Sequence, residues 1–242
     1  MAISQCLPIA LCAPTQTRTE KAARQKLEFD RPGSLRETSS STILGATVWL
    51  DTGTNEIRRV EGLITIPGAK TSTDAAEQFL SSSLGLNLKA DKTGKTTFVT
   101  LARKSESLTG SQLLFQEYYG KTDFPGGLPI FGSTVSVLLN ADNGITLVTN
   151  NTVRITKSVF IRSSRLLDSE GAEDAARRGL SENDGKASRF TNVGRGVLIL
   201  RGEPVPVWKM NQLTVTPPGV LEIVVSASTG EILSIENVAQ YE

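Results

Sequence analysis

LPIFGSTVSVLLNADNGITLV (128–148) is the stretch on which the fold turns. Val135, Val137 and Leu139 lie on one side of an alternating run, with Thr134 and Ser136 on the other. A half-buried antiparallel strand shows this period of two. Asn143-Gly144 is expected to supply the positive φ angles of a tight hairpin turn, with Ile145 and Leu147 returning on the buried face. Asp142 reads as a turn former rather than a metal ligand, because no second carboxylate lies nearby in sequence.

The flanking chain alternates helix and strand signals. ATVWL (46–50) and VEGLITI (60–66) look like strands. TSTDAAEQFLSSSLGL (71–86) follows, with Thr71 or Thr73 placed to cap a helix and Asp74 in its positively polarised first turn. Ala75, Ala76, Phe79 and Leu80 line one helical face. KTTFVTLARKSES (95–107) and SQLLFQEYYG (111–120) read as strand-bearing, and GKTDFPGG (120–127) as a turn-rich break. The order then recurs. LDSEGAEDAARRGL (167–180) sets Ala172, Ala175, Ala176 and Leu180 on one stripe, and SENDGKASRFTNVGRG (181–196) reads as a polar connector. VLILR (197–201), VPVWKMNQLTV (205–215) and LEIVVSASTGEILSIEN (221–237) follow as strands, the last as a hairpin.

A gapless alignment of 135–151 with 221–237 pairs Ala141 with Ala227, Gly144 with Gly230, Leu147 with Leu233 and Asn151 with Asn237, and the pattern match loosens after the turn. The fold class is therefore expected to be α+β: two tandem modules, each an antiparallel β-sheet with a helix packed on one face. Residues 1–42 read as a leader, disordered or weakly signal-like, since Thr15–Glu37 is rich in charge and offers little to bury. The first module is placed at 43–155 and the second at 156–242, with the boundary near Thr152–Arg165.

Composition narrows the chemistry. The 242 residues contain no histidine. That removes Ser–His–Asp and Cys–His hydrolase designs, HExxH zinc sites and facial-triad iron sites together. Carboxylate-pair, lysine or magnesium chemistry survives that test, but no paired acid–base site is evident. No catalytic, metal or cofactor residue is assigned, and an enzyme acting by itself is not expected. A net charge of +1 gives no overall sign of nucleic acid or anionic membrane as partner. No run approaches the roughly 20 apolar residues of a transmembrane helix. Leu7–Ala13 is mildly apolar, but Pro8 interrupts it and no basic residue precedes it, so an export signal is weak. Cys6 and Cys12, the two cysteines, lie in the leader.

The stretch FQEYYG…LPIFGSTVSVLLNADNGITLV (115–148) resembles the fungalysin/thermolysin propeptide motif, with Phe115, Gln116, Tyr119, Pro129, Phe131, Gly132, Val135, Val137 and Gly144 in register. Glu117 stands where a second glutamine is usual, and GKTDFPGG is longer than the usual gap. VEGLITIPGAKTSTDAAEQFLSSSLGL resembles the start of such propeptides. AEDAARRGL, VLILRGEPVPVWKM and VVSASTGEILSIEN resemble a PepSY domain, with Ser226 replacing a common aspartate.

The resemblance implies the prosegment of a thermolysin-like zinc metalloprotease of the M4 type, secreted or periplasmic, which assists folding of the catalytic domain and inhibits it until cleaved. The partner it implies is that catalytic domain, in cis or in trans. A stand-alone protease regulator binding in trans and an unrelated extracellular binding module are the alternatives. Gln240, Tyr241 and Glu242 are candidate cleft-binding residues at the end of the chain, against the reading of a frayed terminus. Tyr118, Tyr119 and Phe131 are candidates for a partner-facing surface, although aromatics at strand spacing are more often core, the reading also given to Trp49 and Trp208. Arg58-Arg59, Arg177-Arg178 and Arg103–Glu106 read as solvated faces, and Asn150-Asn151-Thr152 as a glycosylation sequon.

Overall fold

Two eleven-residue helices, each capped by a side chain from the residue before it, organise the chain. In the computed structural model, which describes residues 35–39, 45–88, 96–180, 189–215 and 218–238, the first helix, α1 (Ser72–Ser82), has Thr71 accepting from the Asp74 amide. The second, α2 (Ser169–Gly179), has Asp168 accepting from the Gly171 amide. Each cap satisfies one of the donors that a helix N-terminus leaves open. Ala75, Ala76, Phe79 and Leu80 are the buried apolar face of α1, and Ala172, Ala175 and Ala176 that of α2.

The strands are β1 (Leu35–Ser39), β2 (Thr47–Asp51), β3 (Ile57–Ile64), β4 (Thr97–Ser107), β5 (Gly110–Tyr119), β6 (Leu128–Asn140), β7 (Ile145–Asn150), β8 (Phe190–Leu200), β9 (Glu203–Val215), β10 (Pro218–Ser226) and β11 (Ile232–Asn237). Hydrogen bonding orders the first sheet β1-β2-β3-β7-β6-β5-β4 and the second β8-β9-β10-β11. All these pairs are antiparallel. A single parallel pairing, Ile130 with Val197, joins β6 to β8 and makes one mixed sheet. The architecture is α+β.

The repeat is structural as well as sequential: α1-β4-β5-β6-β7 and α2-β8-β9-β10-β11 are each a helix followed by a four-stranded meander. Val137 faces Val148 across the first hairpin, and Ile223 faces Ile235 across the second. Each hairpin carries a β-bulge beside its turn, opposite Leu138/Leu139 and Val224/Val225, with the extra residue on the return strand, Thr146 in the first and Leu233 in the second. A shared bulge is a built feature of a strand pair rather than an accident. The turns differ in length. The Asn140 amide reaches the Gly144 carbonyl, whereas the Ser226 amide reaches one residue further, to Glu231. Residues beyond the turn therefore correspond with a one-residue slip, which is why the gapless alignment loosens there. Gly230 (φ +73°) takes the left-handed place of Asn143 (φ +60°), not that of Gly144.

Gly144 does not itself adopt positive φ. Its need is space, since a Cβ there would lie 2.8 Å from Leu63 Cδ1. The turn is tied by the Asn140 side chain, whose Oδ1 accepts from the amides of Asp142 and Gly144 at 3.1 and 2.7 Å.

Three further expectations need correction. Strand β1 falls inside the segment read as a leader; LRETS pairs along β2 through its backbone and carries no apolar alternation to announce it. Strand β8 begins at Phe190, so the last part of the supposed connector 181–196, from Phe190 on, is strand, interrupted by an irregularity between Thr191 and Gly194 where Asn192 takes φ +51°. Arg58 is buried rather than solvated: it bonds Glu56 at 2.9 Å and the Thr152 carbonyl, and lies 3.5 Å from Asp51. Arg59 is exposed, over the Trp49 ring.

The first core lies between α1 and its sheet, built around Phe79, Leu80, Leu113, Phe115, Val137 and Val148. The second lies between α2 and its sheet, around Trp208, Met210, Ile223 and Val225. The Trp208 indole N–H donates to the Leu167 carbonyl at 2.9 Å, fixing the chain just ahead of the α2 cap.

Candidate functional site

Part of the motif, Gln116, Tyr119, Pro129, Phe131 and Gly132, lies at the joint between the two modules, while Phe115, Val135 and Val137 belong to the first core. Between Gln116↔Thr134 and Tyr118↔Pro129 the β5–β6 register jumps, so that Ile130–Ser133 bow away from β5. The Gln116 side-chain amide fills the bow, donating to the carbonyls of Glu117, Ile130 and Ser133 at 2.9, 2.8 and 2.9 Å. Gly132 turns the chain with φ +79°. The displaced Ile130 then pairs with Val197 of β8. The equivalent β9–β10 pairing in the second module runs without a register shift. The bow belongs to the first module alone, at the place where the second docks.

Glu117 sits beneath it with only 3% of its surface exposed. Its Oε2 accepts from the Ser133 hydroxyl and, at 3.3 Å, from the Val153 amide. Burial pushes its carboxyl above the ordinary value. Hydrogen bonds from Ser133, Thr97 and Val153 oppose that rise, and the charge of Glu56 adds to it. Arg58 holds the Thr152 carbonyl and Glu117 the Val153 amide, so two buried charged groups grip successive residues where the chain leaves β7.

The long gap has a role of its own. Thr122 pairs with Ile161, the Ser163 amide donates to Asp123 at 2.7 Å, and Lys121 Nζ lies 2.7 Å from Ser158 Oγ. Phe124 lies against the Arg195 guanidinium at 3.9 Å, with the Trp208 ring also 5.2 Å from that guanidinium. The extra residues of GKTDFPGG thus bind the inter-module connection and the second sheet.

The predicted partner-facing aromatics separate. Tyr119 is fully buried in a small core with Leu128, Ile130, Ile161 and Val197. Its hydroxyl donates to the Val159 carbonyl and accepts from the Val159 amide at 3.0 Å. It is an internal anchor, with its ring buried inside the chain. Phe131 packs on the second sheet against the cluster of Leu198, Val207 and Val224, beneath Lys209 at 5.6 Å. Its ring lies where a Cβ on Gly196 would be, at 2.6 Å. This half-buried contact is made within the chain. Tyr118 stacks on Phe98 with ring centroids 5.5 Å apart and stays half-exposed. Gln240, Tyr241 and Glu242 lie outside the described residues, as do Cys6 and Cys12.

Asn150 of the sequon is buried. Its side-chain amide donates to the Ile57 carbonyl at 2.8 Å and its oxygen accepts from Thr152, so it presents no acceptor nitrogen to solvent. Among the described residues no group of three or more His, Cys, Asp or Glu is placed to hold a metal ion. No helix among them is long and apolar enough to cross a membrane. Sequence reasoning missed Ser133 and Arg195; only their contacts, Ser133 with Glu117 inside the first module and Arg195 with Phe124 across the joint, reveal them.

No family model matches the chain, and no curated protein matches it. Among solved structures it is similar to the Bacillus megaterium YpeB C-terminal domain, at 12% identity over 93% of this chain and 98% of that one, with a TM-score of 0.34. An agreement of that size carries no argument about fold or role.

Proposed function

We propose that the chain works by binding rather than by catalysis, as the non-catalytic prosegment of a thermolysin-like zinc metalloprotease, chaperoning and inhibiting the catalytic domain. The observation that carries this reading is the use to which the motif residues are put. Gln116, Glu117, Tyr119, Phe131 and Gly132 build a rigid joint between two helix-on-sheet modules, and their polar atoms face inward to backbone carbonyls and amides. Such a scaffold offers a preformed surface on which a protease fold rich in slow, non-local contacts could assemble. Among the described residues strand β11 is the last strand of the second sheet, and in sequence Val238 leads on to Gln240, Tyr241 and Glu242. An aromatic residue near the end of that sequence suits a segment laid in a substrate cleft.

A regulator acting in trans would use the same surface, and both forms share one test. A denatured thermolysin-like catalytic domain is refolded with and without the chain added separately. The reading predicts a several-fold higher yield of protease, held inactive until the chain is digested. An unchanged yield with no delay in the appearance of activity would rule the proposal out.

A further inference from the structure

We propose that the inter-module connection docks on an anionic lipid surface, through Val159 and Phe160 set among unpaired arginines. This goes beyond the protease reading and does not depend on it.

Between Thr152 and Leu167 the chain carries Arg154, Lys157, Arg162 and Arg165 and no acidic residue. The Thr156 and Lys157 amides both donate to the Gly202 carbonyl, at 3.0 and 3.1 Å, which brings Arg201 alongside. Lys121 joins from the other side through its carbonyl, which accepts from the Ile161 amide at 3.0 Å. Glu203, paired with Lys157 at 2.5 Å, and Asp123, bonded to Ser163, offset part of this group, Glu117 is buried beneath Val153, and Asp168 follows the segment in sequence. Among the described residues Arg154, Arg162, Arg165 and Arg201 have no acidic partner. The near-neutral charge of the whole chain conceals this local excess.

Within the same segment Val159 is 51% exposed and Phe160 61%. Their exposure is not fraying. The Tyr119 hydroxyl holds both the amide and the carbonyl of Val159, and Ile161 is buried and tied to the 120–124 loop. The backbone is fixed from beneath while two adjacent apolar side chains are held in water. Each cation near an anionic leaflet is drawn to it, and an aromatic side chain gains by leaving water for the acyl boundary. Arginine stems cover apolar surface while their heads stay at the phosphates. An acidic protein or a nucleic acid satisfies the charge, but an aliphatic–aromatic pair calls for an apolar phase beside it.

The test is sedimentation of the full chain with phosphatidylcholine vesicles containing roughly 30% phosphatidylserine, against pure phosphatidylcholine. Binding to the anionic vesicles is expected, weakening as salt rises. Phe160→Ser should lower it about tenfold, and Arg162→Glu with Arg165→Glu should abolish it. Both changes fall on exposed side chains, and unchanged tryptophan fluorescence would confirm the fold. Absence of binding to anionic vesicles at low salt, equal binding to neutral ones, or indifference to both variants overturns the proposal. So does capture by poly-glutamate alone, which would make the surface a site for acidic protein.

Discussion

Gln116→Ala probes the joint most locally, and its cost can be worked from the contacts. The side-chain amide has two hydrogens and serves three carbonyls, those of Glu117, Ile130 and Ser133, so one hydrogen is shared. Two bonds' worth of net stabilisation is about 1 kcal/mol each, and an acceptor left dry costs a further 1–3 kcal/mol or so. Gly132 is exposed, so water can reach part of the bow and relieve some of that penalty. The expected loss is therefore about 2–3 kcal/mol. Gln116→Glu should cost more, since it points a carboxylate at three carbonyl oxygens. The natural reporters are Trp49 in the first module and Trp208 in the second, each read alone after replacing the other by Phe. Urea unfolding should show both transitions coincident in the parent and shifted apart in Gln116→Ala. A loss below about 0.5 kcal/mol, with the transitions still coincident, would refute the role given to this side chain.

Other consequences are as direct. Glu117→Gln should flatten the pH dependence of stability. The folded carboxyl titrates above its unfolded value, so its favourable contribution is complete below the unfolded pKa and is lost as pH rises through the folded one. The Gln variant should be the more stable protein at neutral pH, as thermal melts across acid to neutral pH will show. Gly196→Ala forces a Cβ to 2.6 Å from the Pro129 carbonyl and from the Phe131 ring. It should cost about 1–3 kcal/mol and uncouple the two tryptophan-reported transitions. Asp168→Ala removes the α2 cap, and a loss of about 1 kcal/mol should appear in the Trp208-reported transition.

The elements legible in the sequence are those fixed by short-range patterns. The β6 strand alternates cleanly, and the α1 and α2 stripes and caps lie within single helical turns. Elements fixed by distant partners were hidden. LRETS becomes a strand because β2 offers it an edge, and Phe190–Gly196 because β9 lies beside it. The repeat was visible, but its register after the turn was not, since one extra residue in the second turn restores the strand phase invisibly to a gapless comparison. Tyr119 illustrates the limit for the site. Its neighbour Tyr118 keeps a half-exposed face, yet Tyr119 is buried by residues 40 positions away, which no local pattern contains.

The central claim is that this chain binds and inhibits a thermolysin-like protease, and titrating such an enzyme's activity with the purified chain tests it most directly. The account predicts saturable inhibition at one chain per enzyme, weakened when Gln240, Tyr241 and Glu242 are removed. Full activity at excess chain, with no complex detected by sedimentation, would contradict it.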